Sequence, residues 1–203
     1  TDKDQQQAIS NMIGSMPWIA DASRFLVFCA DMHRGQRIAE MRGKEHVNNT
    51  LDTFMNAAVD ASLAMMSFIT AAGFKGLGTC PVSAVRAHTA DICELLGLPK
   101  GVYPVAGLTV GYPTDDGRFT LRLPPSVVVH HGKYDDSALE TELKAYDARR
   151  NKLQPIAPEK QMHQDDFGVS DDYGWTENTA RRLAKRERAD FGAFIRSHGF
   201  DLE

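Results

Sequence analysis

Glycine, cysteine and proline are concentrated between Gly76 and Ala84, which makes this segment the first candidate for chemistry. Gly76-Leu-Gly78 supplies two glycines of a dinucleotide-binding loop. The third glycine is absent, however, and the segment follows a predicted helix where that fingerprint requires a strand. A tight turn that lets the backbone approach a flat ligand accounts for the same residues. The sequence therefore disfavours a Rossmann site here.

Nucleophiles and metal ligands are the next candidates. Cys80 has no histidine or aspartate near it in a recognisable catalytic pattern, so a small buried side chain is the favoured interpretation. His130 and His131 are neighbours in an extended segment and point to opposite faces, which argues against a metal site. The cysteines, Cys29, Cys80 and Cys93, lack the spacing of a metal cage or a disulfide framework. We predict no catalytic side chain, no metal ligand and a reducing, cytoplasmic location.

Arginines form the remaining candidates. Arg122 lies in the apolar segment Thr120-Leu-Arg-Leu-Pro124, where a guanidinium needs an anionic partner, either a carboxylate or a phosphate. A second set near the end of the chain is interleaved with acidic residues, and we interpret it as a solvated helix face. This set consists of Arg181, Arg182, Lys185, Arg186 and Arg188.

Composition limits the class of protein. A chain of 203 residues with 42% hydrophobic and 25% charged residues is typical of one globular domain. The formal charge of -4 provides no basic field for nucleic acid, which is therefore not an expected partner. Leu51 to Ala72 is the most apolar stretch, but it contains Asp52, Asn56 and Asp60. We predict a buried helix there, and no membrane span.

Hydrophobic periodicity predicts the elements that position these residues. The helix over 48–72 is apolar nearly all round, so it must be covered by its own domain and by a second subunit. Gly73 is predicted to end this helix in a left-handed conformation, and the first strand is predicted to be buried on both faces. The predicted helices span 4–13, 48–72, 89–96, 138–151 and 177–197, and the predicted strands span 24–30 and 102–112, with a strand or loop at 75–82.

Two segments together resemble the signature of the nitroreductase superfamily. They are Gly76-Leu-Gly-Thr-Cys-Pro-Val-Ser-Ala-Val-Arg86 and Leu96-Gly-Leu-Pro-Lys-Gly-Val-Tyr-Pro-Val-Ala-Gly-Leu-Thr-Val-Gly-Tyr-Pro113. The likeness covers nearly the whole chain and is greatest to oxygen-insensitive nitroreductases and NAD(P)H-flavin oxidoreductases. It implies an α+β, nitroreductase-like, FMN-dependent fold: a small, mostly antiparallel sheet flanked by helices, with a long central helix at a homodimer interface.

The resemblance also implies a function. Such a protein is an FMN-dependent oxidoreductase that uses NAD(P)H to reduce nitroaromatics, quinones or flavins, which are small flat electron acceptors, by ping-pong hydride transfer. The positions that match flavin contacts are Pro81, Val82, Ser83, Ala84, Thr120, Leu121 and Arg122, with Met16 where the related group has a glutamine near the flavin. Arg149, Arg150 and Arg188 are candidates for the extra phosphate of NADPH.

The sequence departs from the family pattern in three places. The family's Arg-Ser-x-Arg motif for the FMN phosphate is not found, Ser83-Ala84 replaces a glycine pair, and the connector around Gln164 to Asp172 is acidic where related enzymes have an arginine-rich loop. We therefore predict a single nitroreductase-like domain over 1–203 that lacks its amino-terminal segment, with a surface connector at 152–174 and a carboxy-terminal helical arm at 175–203.

Three other interpretations are compatible with the sequence. One is another reaction of the superfamily, such as reductive dehalogenation or flavin fragmentation. A second is a cofactor-free dimeric interaction protein. The third is a thiol enzyme that uses Cys80.

Overall fold

The computed structural model describes residues 2–115, 117 and 119–202. The chain divides into two compact units, of which the first comprises Thr1–Asp116 with Arg188–Glu203 and the second comprises Gly117–Glu187. The single domain over 1–203, the connector and the arm remain predictions, and each unit is described by itself.

The first unit is an α+β structure built around a three-stranded antiparallel sheet. The strands are β1 (Arg24–Asp31), β2 (Gly78–Val82) and β3 (Val102–Gly111), and their order β1-β3-β2 places the strand latest in the sequence in the middle. This confirms the predicted small antiparallel sheet flanked by helices, one of them long. The elements are α1 (Lys3–Ile13), α2 (Trp18–Asp21), β1 (Arg24–Asp31), α3 (His33–Met41), α4 (Leu51–Phe74), β2 (Gly78–Val82), a 3₁₀ turn (Ser83–Ala87), α5 (Thr89–Leu96) and β3 (Val102–Gly111).

The second unit is helical in the residues that the structure describes. It contains α6 (Pro125–Val128), α7 (Leu139–Leu153), a 3₁₀ turn (Pro158–Lys160), α8 (Gln164–Phe167) and α9 (Trp175–Leu183), after which α10 (Phe191–Ser197) belongs to the first unit. The single helix predicted over 177–197 is therefore wrong. Between α9 and α10 the backbone of Arg188 adopts a left-handed φ of 51°, which a continuous helix does not allow.

The central strand contains an irregularity that its proline explains. Phe28 pairs with Ala106 and Cys29 with Pro104, so the register shifts and Val105 has no partner in β1. Proline has no N–H to donate to a ladder, and a bulge is where such a loss is tolerated. Val105 keeps a hydrogen bond nonetheless, because the Nη1 of Arg86 donates to its carbonyl. Arg86 thereby ties the 3₁₀ turn after β2 to the middle of the sheet.

The outer strand β1 is less buried than the sequence indicates. Only Phe25 and Ala30 among its eight residues are buried, and the prediction of burial on both faces is wrong. A strand at the margin of a sheet is covered on fewer sides than a central one. The central strand β3 is the one that is buried along most of its length.

The long helix α4 packs on the sheet through small side chains. Its buried residues are Thr53, Ala57, Ala61 and Ala72, while most of its large apolar residues are exposed. The helix begins after Thr50, whose side chain accepts from the N–H of Thr53 at 3.4 Å. It continues through Gly73 to Phe74, so the predicted left-handed end at Gly73 is wrong. The glycine that follows the helix with a positive φ is Gly76, at 71°.

The exposed surface of α4 corrects the expectation of a helix covered by its own domain. In length and composition this helix could cross a membrane, and 17% of its most apolar window is buried. One such helix is weak evidence for a membrane span.

Helix α1 holds the short helix α2 and the residue that follows it. Gln6 is fully buried, and its Nε2 donates to the carbonyls of Ile19, Ala20 and Ala22 at 2.7, 3.2 and 2.8 Å. Lys3 adds a bond to the Ala22 carbonyl at 2.6 Å. Carbonyls at the end of a short helix have no partner within it, and here they are satisfied by side chains of α1.

In the second unit, Asp147 of α7 caps the start of α9. Its Oδ1 accepts from the N–H of Trp175 at 2.8 Å, and its carboxylate also accepts from the N–H and hydroxyl of Thr176. A carboxylate at a helix amino terminus satisfies unpaired N–H groups and complements the helix dipole. Gly174 permits this approach, because a Cβ there would lie 2.5 Å from the carboxylate of Asp147.

Arg181 of α9 organises the predicted connector. Its side chain is 4% exposed, donates to the carbonyls of Met162 and Gly168 at 3.2 and 2.6 Å, and lies over the ring of Tyr173 at 5.0 Å. Glu177 pairs with it at 2.7 Å. The interpretation of Arg181 as part of a solvated face is therefore wrong: this arginine is an internal anchor.

We predict that Gln6→Met destabilises the protein by about 1–3 kcal/mol, because three carbonyls lose a buried donor while the volume is nearly kept. Gln7→Met is the matched control, since Gln7 is exposed on the same helix; its effect should stay within about 0.5 kcal/mol. Urea unfolding followed by circular dichroism measures both. Equal effects of the two substitutions would contradict the anchoring role of Gln6.

Candidate functional site

The four predicted flavin-facing residues after Cys80 occupy the end of β2 and the start of the following 3₁₀ turn. Pro81 and Ser83 are exposed, Ala84 is half-buried and Val82 is 1% exposed. The side chain of Val82 therefore belongs to the core, and only its backbone can contact a ligand. The first N–H groups of a 3₁₀ turn have no acceptor within the turn, so this segment offers donors beside small side chains.

Met16 and Ala84 pack against one apolar cluster, although they are 68 positions apart in the sequence. The buried members of that cluster are Ile9, Ile19, Phe25, Val82, Val85 and Ile92. The structure thus places the predicted residues Met16, Val82 and Ala84 around the same core of the first unit. Their contact with a flavin remains a prediction.

A groove of about 570 Å³ lies beside Cys80, the residue that precedes Pro81 to Ala84. Its lining includes Trp18, Ser23, Cys80, Thr109 and Tyr112. Sequence reasoning missed Trp18, which is 40% exposed and stands two residues after Met16. A tryptophan outside any apolar periodicity was the available signal, because an exposed aromatic side chain is a frequent binding residue.

Gly111 lets the wall of the groove pack closely against Ser23. A Cβ at Gly111 would lie 3.0 Å from Oγ of Ser23, a tight contact that would make the serine side chain shift. Glycine at this position thus favours the close approach of β3 to the residue before β1. A larger residue there would displace one wall of the groove.

Cys80 is exposed at this groove, which corrects the expectation of a buried side chain. Its sulfur lies 3.9 Å from the carbonyl oxygen of Pro81, and within the described part of the chain no imidazole or carboxylate hydrogen-bonds it. A nucleophilic cysteine requires a neighbouring base or cation to form the thiolate. The geometry gives no support to a thiol mechanism.

The other two cysteines are poorer nucleophiles. Burial raises the pKa of Cys29 to about 11, with smaller contributions from Cys93 and Asp31. Burial likewise raises the pKa of Cys93 to about 11. Both side chains therefore stay protonated at neutral pH.

The predicted phosphate-binding segment belongs to the second unit. Thr120 and Arg122 are exposed and Leu121 is half-buried, and the segment lies outside helices and strands. The hydroxyl of Tyr146 donates to the carbonyl of Leu121 at 3.0 Å. Among residues 117 and 119–187, no carboxylate pairs with Arg122. The salt-bridge interpretation of Arg122 therefore has no support within its own unit.

The candidate residues for the nucleotide phosphate do not lie in one unit. Arg149 is exposed and Arg150 half-buried on α7 of the second unit, whereas Arg188 belongs to the first. Arg188 lies near the half-buried Arg86, and burial followed by the charge of Arg188 lowers the pKa of Arg86. Their role in nucleotide binding remains a prediction.

The histidine pair has local contacts only. The ring of His130 lies 4.4 Å from that of Tyr134, and its Nδ1 accepts from the N–H of Asp135 at 3.3 Å. Among the residues that the structure describes, no group of three histidine, cysteine or acidic side chains is arranged to hold a metal ion.

Comparison with known proteins decides the family. Residues 3–112 match the model of the nitroreductase family, and residues 121–203 match the model of its C-terminal domain. The chain belongs to the nitroreductase family. The resemblance carried by Gly76 to Pro113 is thereby confirmed.

Three members illustrate the likeness. The FMN reductase [NAD(P)H] of Bacillus subtilis is 38% identical over 74% of this chain and 62% of its own length. The oxygen-insensitive NADPH nitroreductase of Salmonella typhimurium is 32% identical over 66% of this chain and 54% of its own. The solved structure of B. megaterium NfrA2 is 30% identical, with a TM-score of 0.86 over 100% of this chain and 78% of that one. The matches to the two curated relatives span less than two thirds of their lengths.

Membership of the nitroreductase family confirms the fold, while the individual site residues remain predictions. Pro81 to Ala84 and Met16 share the first unit, and Thr120 to Arg122 lie in the second.

We predict that iodoacetamide at pH 8 alkylates Cys80 at least about tenfold faster than Cys29 or Cys93, because only the thiolate reacts and burial suppresses it at the latter two. Peptide mass spectrometry over a time course measures the three rates. Labelling in urea is the control and should make the rates similar. Alkylation of native Cys29 at the rate of Cys80 would contradict the effect of burial.

Proposed function

We propose that this protein is an FMN-dependent oxidoreductase that uses NAD(P)H to reduce small flat acceptors such as nitroaromatics, quinones or flavins. The observation that carries the proposal is the family match over residues 3–112, within which Pro81 and Ser83 are exposed. The names of the Bacillus and Salmonella relatives support FMN, NAD(P)H and nitro compounds as reactants.

The described residues fit the isoalloxazine ring of FMN. Exposed Pro81 and Ser83 flank the buried Val82, so a flat ligand would meet small side chains and backbone N–H groups. Backbone N–H donors placed along the flavin ring can stabilise the negative charge that develops on the ring when the ring is reduced. The half-buried side chain of Ala84 adds an apolar contact next to Met16.

Arg122 is the candidate for the phosphate of FMN. It is exposed and has no carboxylate partner within its unit, so its guanidinium is available for a bidentate bond to phosphate oxygens. When bound, FMN would supply the redox chemistry of the proposed ping-pong hydride transfer from NAD(P)H to the acceptor. The chain's own residues bind and orient, which agrees with the prediction of no catalytic side chain.

The negative charge of the connector bears on the choice between NADH and NADPH. Asp165, Asp166, Asp171 and Asp172 place four carboxylates between α7 and α9, of which Asp166 pairs with Lys185 at 2.7 Å. Carboxylates repel the extra phosphate of NADPH. We expect NADH to be used at least as well as NADPH. The unpaired state of Cys29, Cys80 and Cys93 supports a reducing, cytoplasmic location.

A homodimer is the proposed assembly, with a second copy of this chain covering α4. Leu51, Met55, Val59, Leu63 and Met66 recur at helical spacing opposite the alanines that face the sheet, and they are 48–63% exposed. The first four of them line an almost wholly apolar groove of about 430 Å³. A helix that turns its larger apolar residues outward needs a partner surface. The same helix of a second copy presents the same apolar residues, with Asp52 at the first turn of the helix.

We predict that the purified protein binds FMN and shows an absorption band near ~450 nm that bleaches with NADH. Ser83→Trp should abolish the band by filling the space beside the ring, whereas Ala87→Trp, at an exposed position of the same turn, should keep it. Absorption spectroscopy and stopped-flow reduction measure this. A colourless wild-type protein in excess FMN would contradict the proposed function.

We predict that Met55→Glu converts a dimer into a monomer of 22.5 kDa, because a charge would be buried in the apolar stripe. Ile38→Glu is the control, since Ile38 is 56% exposed on α3 against 54% for Met55. Size-exclusion chromatography with light scattering measures the mass. A wild-type monomer, or wild-type protein found only in the membrane fraction, would contradict the homodimer.

A further inference from the structure

We infer that Tyr146 is a positioning residue that holds Arg122 ready for the phosphate of the flavin. The inference rests on the proposed function, because it assigns Arg122 to the FMN phosphate. What it adds is a residue on α7 that touches no cofactor and acts through the backbone of Leu121.

The segment that carries Arg122 has little structure of its own. Among the described residues from Phe119 to Leu123, the bond from the Tyr146 hydroxyl to the Leu121 carbonyl, at 3.0 Å, is the hydrogen bond that fixes the backbone. Phe119, Thr120 and Arg122 are exposed, so packing contributes little. Without this bond the segment would have many conformations to lose when a ligand binds.

The donor itself is held firmly. Tyr146 is 3% exposed, and its ring meets that of Trp175 edge-to-face at 5.5 Å. The next residue, Asp147, accepts from the N–H of Trp175 at 2.8 Å and so joins α7 to the start of α9. A buried ring held against Trp175 directs its hydroxyl toward the carbonyl of Leu121. Helices α7 and α9 thus together fix the position of the irregular segment that carries Arg122.

The consequence is specific to phosphate. An arginine that is already in place binds its anion without the entropic cost of ordering the chain around it. Riboflavin has the same ring as FMN and no phosphate, so its affinity does not depend on Arg122. Loss of the tether should therefore weaken FMN and leave riboflavin unchanged, whereas general damage to the fold would weaken both.

The test compares Tyr146→Phe with Arg122→Ala in the purified flavin-free protein. Tyr146→Phe keeps the buried ring and removes only the donor, and it should raise the Kd for FMN about threefold to tenfold, the loss of one hydrogen bond. Arg122→Ala should raise it further. Both should leave the Kd for riboflavin within about twofold, because neither substitution changes a residue that we assign to the flavin ring. Quenching of flavin fluorescence measures all these constants.

Tyr173→Phe is the matched control. Tyr173 is 5% exposed in the same unit, and its hydroxyl bonds the N–H of Met162 and the side chain of Asn178, both away from Leu121. It loses a buried hydroxyl as Tyr146→Phe does, without touching the arginine segment. Its FMN-to-riboflavin ratio of Kd values should equal that of the wild type.

Each outcome has a distinct meaning. A wild-type protein that binds no FMN overturns the proposed function and this inference with it. An Arg122→Ala variant with wild-type affinity for FMN overturns the assignment of Arg122 to the phosphate, and with it this inference. Weakening in Arg122→Ala with no difference between Tyr146→Phe and Tyr173→Phe overturns the role of Tyr146 alone.

Discussion

The backbone at the candidate site lies at the ends of regular elements or between them, and so its carbonyl groups must find donors elsewhere. Side chains anchored in helices or packed on the sheet supply these donors. Gln6 bonds the carbonyls of the segment before β1, Arg86 bonds the bulge in β3, and Tyr146 bonds Leu121. In each case a long side chain with its base in a regular or packed element fixes a stretch that could not fix itself. The position of the candidate site therefore depends on residues that need not touch a ligand.

The packing of α4 follows a different constraint and has a consequence at another scale. Alanines let the helix approach the sheet closely, and this leaves the larger apolar residues on the outer side. Burial of that stripe would stabilise the protein by about 25 cal/mol for each Å² of apolar surface removed from water. A single copy of the chain lacks this stabilisation. An arrangement of this kind is stable in solution when a second surface covers it. The same helix then contributes to the core of one copy and to the interface between two.

Local periodicity was enough to predict the elements whose signals are local. Helix α5 begins and ends at Thr89 and Leu96 as predicted, and α1 ends before Gly14, whose φ is 66°. The break between α9 and α10 could not be predicted from the sequence. Arg188 adopts a left-handed conformation there, and this conformation is usually adopted by glycine or asparagine. The anchoring roles of Gln6 and Tyr146 were equally hidden, because their partners lie 13 or more positions away and leave no pattern.

The substitution of the family's glycine pair by Ser83-Ala84 shows what the candidate site requires of its backbone. Glycine is needed where φ is positive or where a Cβ would collide. Among the described non-glycine residues, positive φ occurs at His163 and Arg188, so Ser83 and Ala84 are free of that strain. Ser83 is exposed and Ala84 packs on the apolar cluster with Met16. Ser83 and Ala84 therefore leave the backbone of this turn unstrained although neither is glycine, and their small side chains cover little of it.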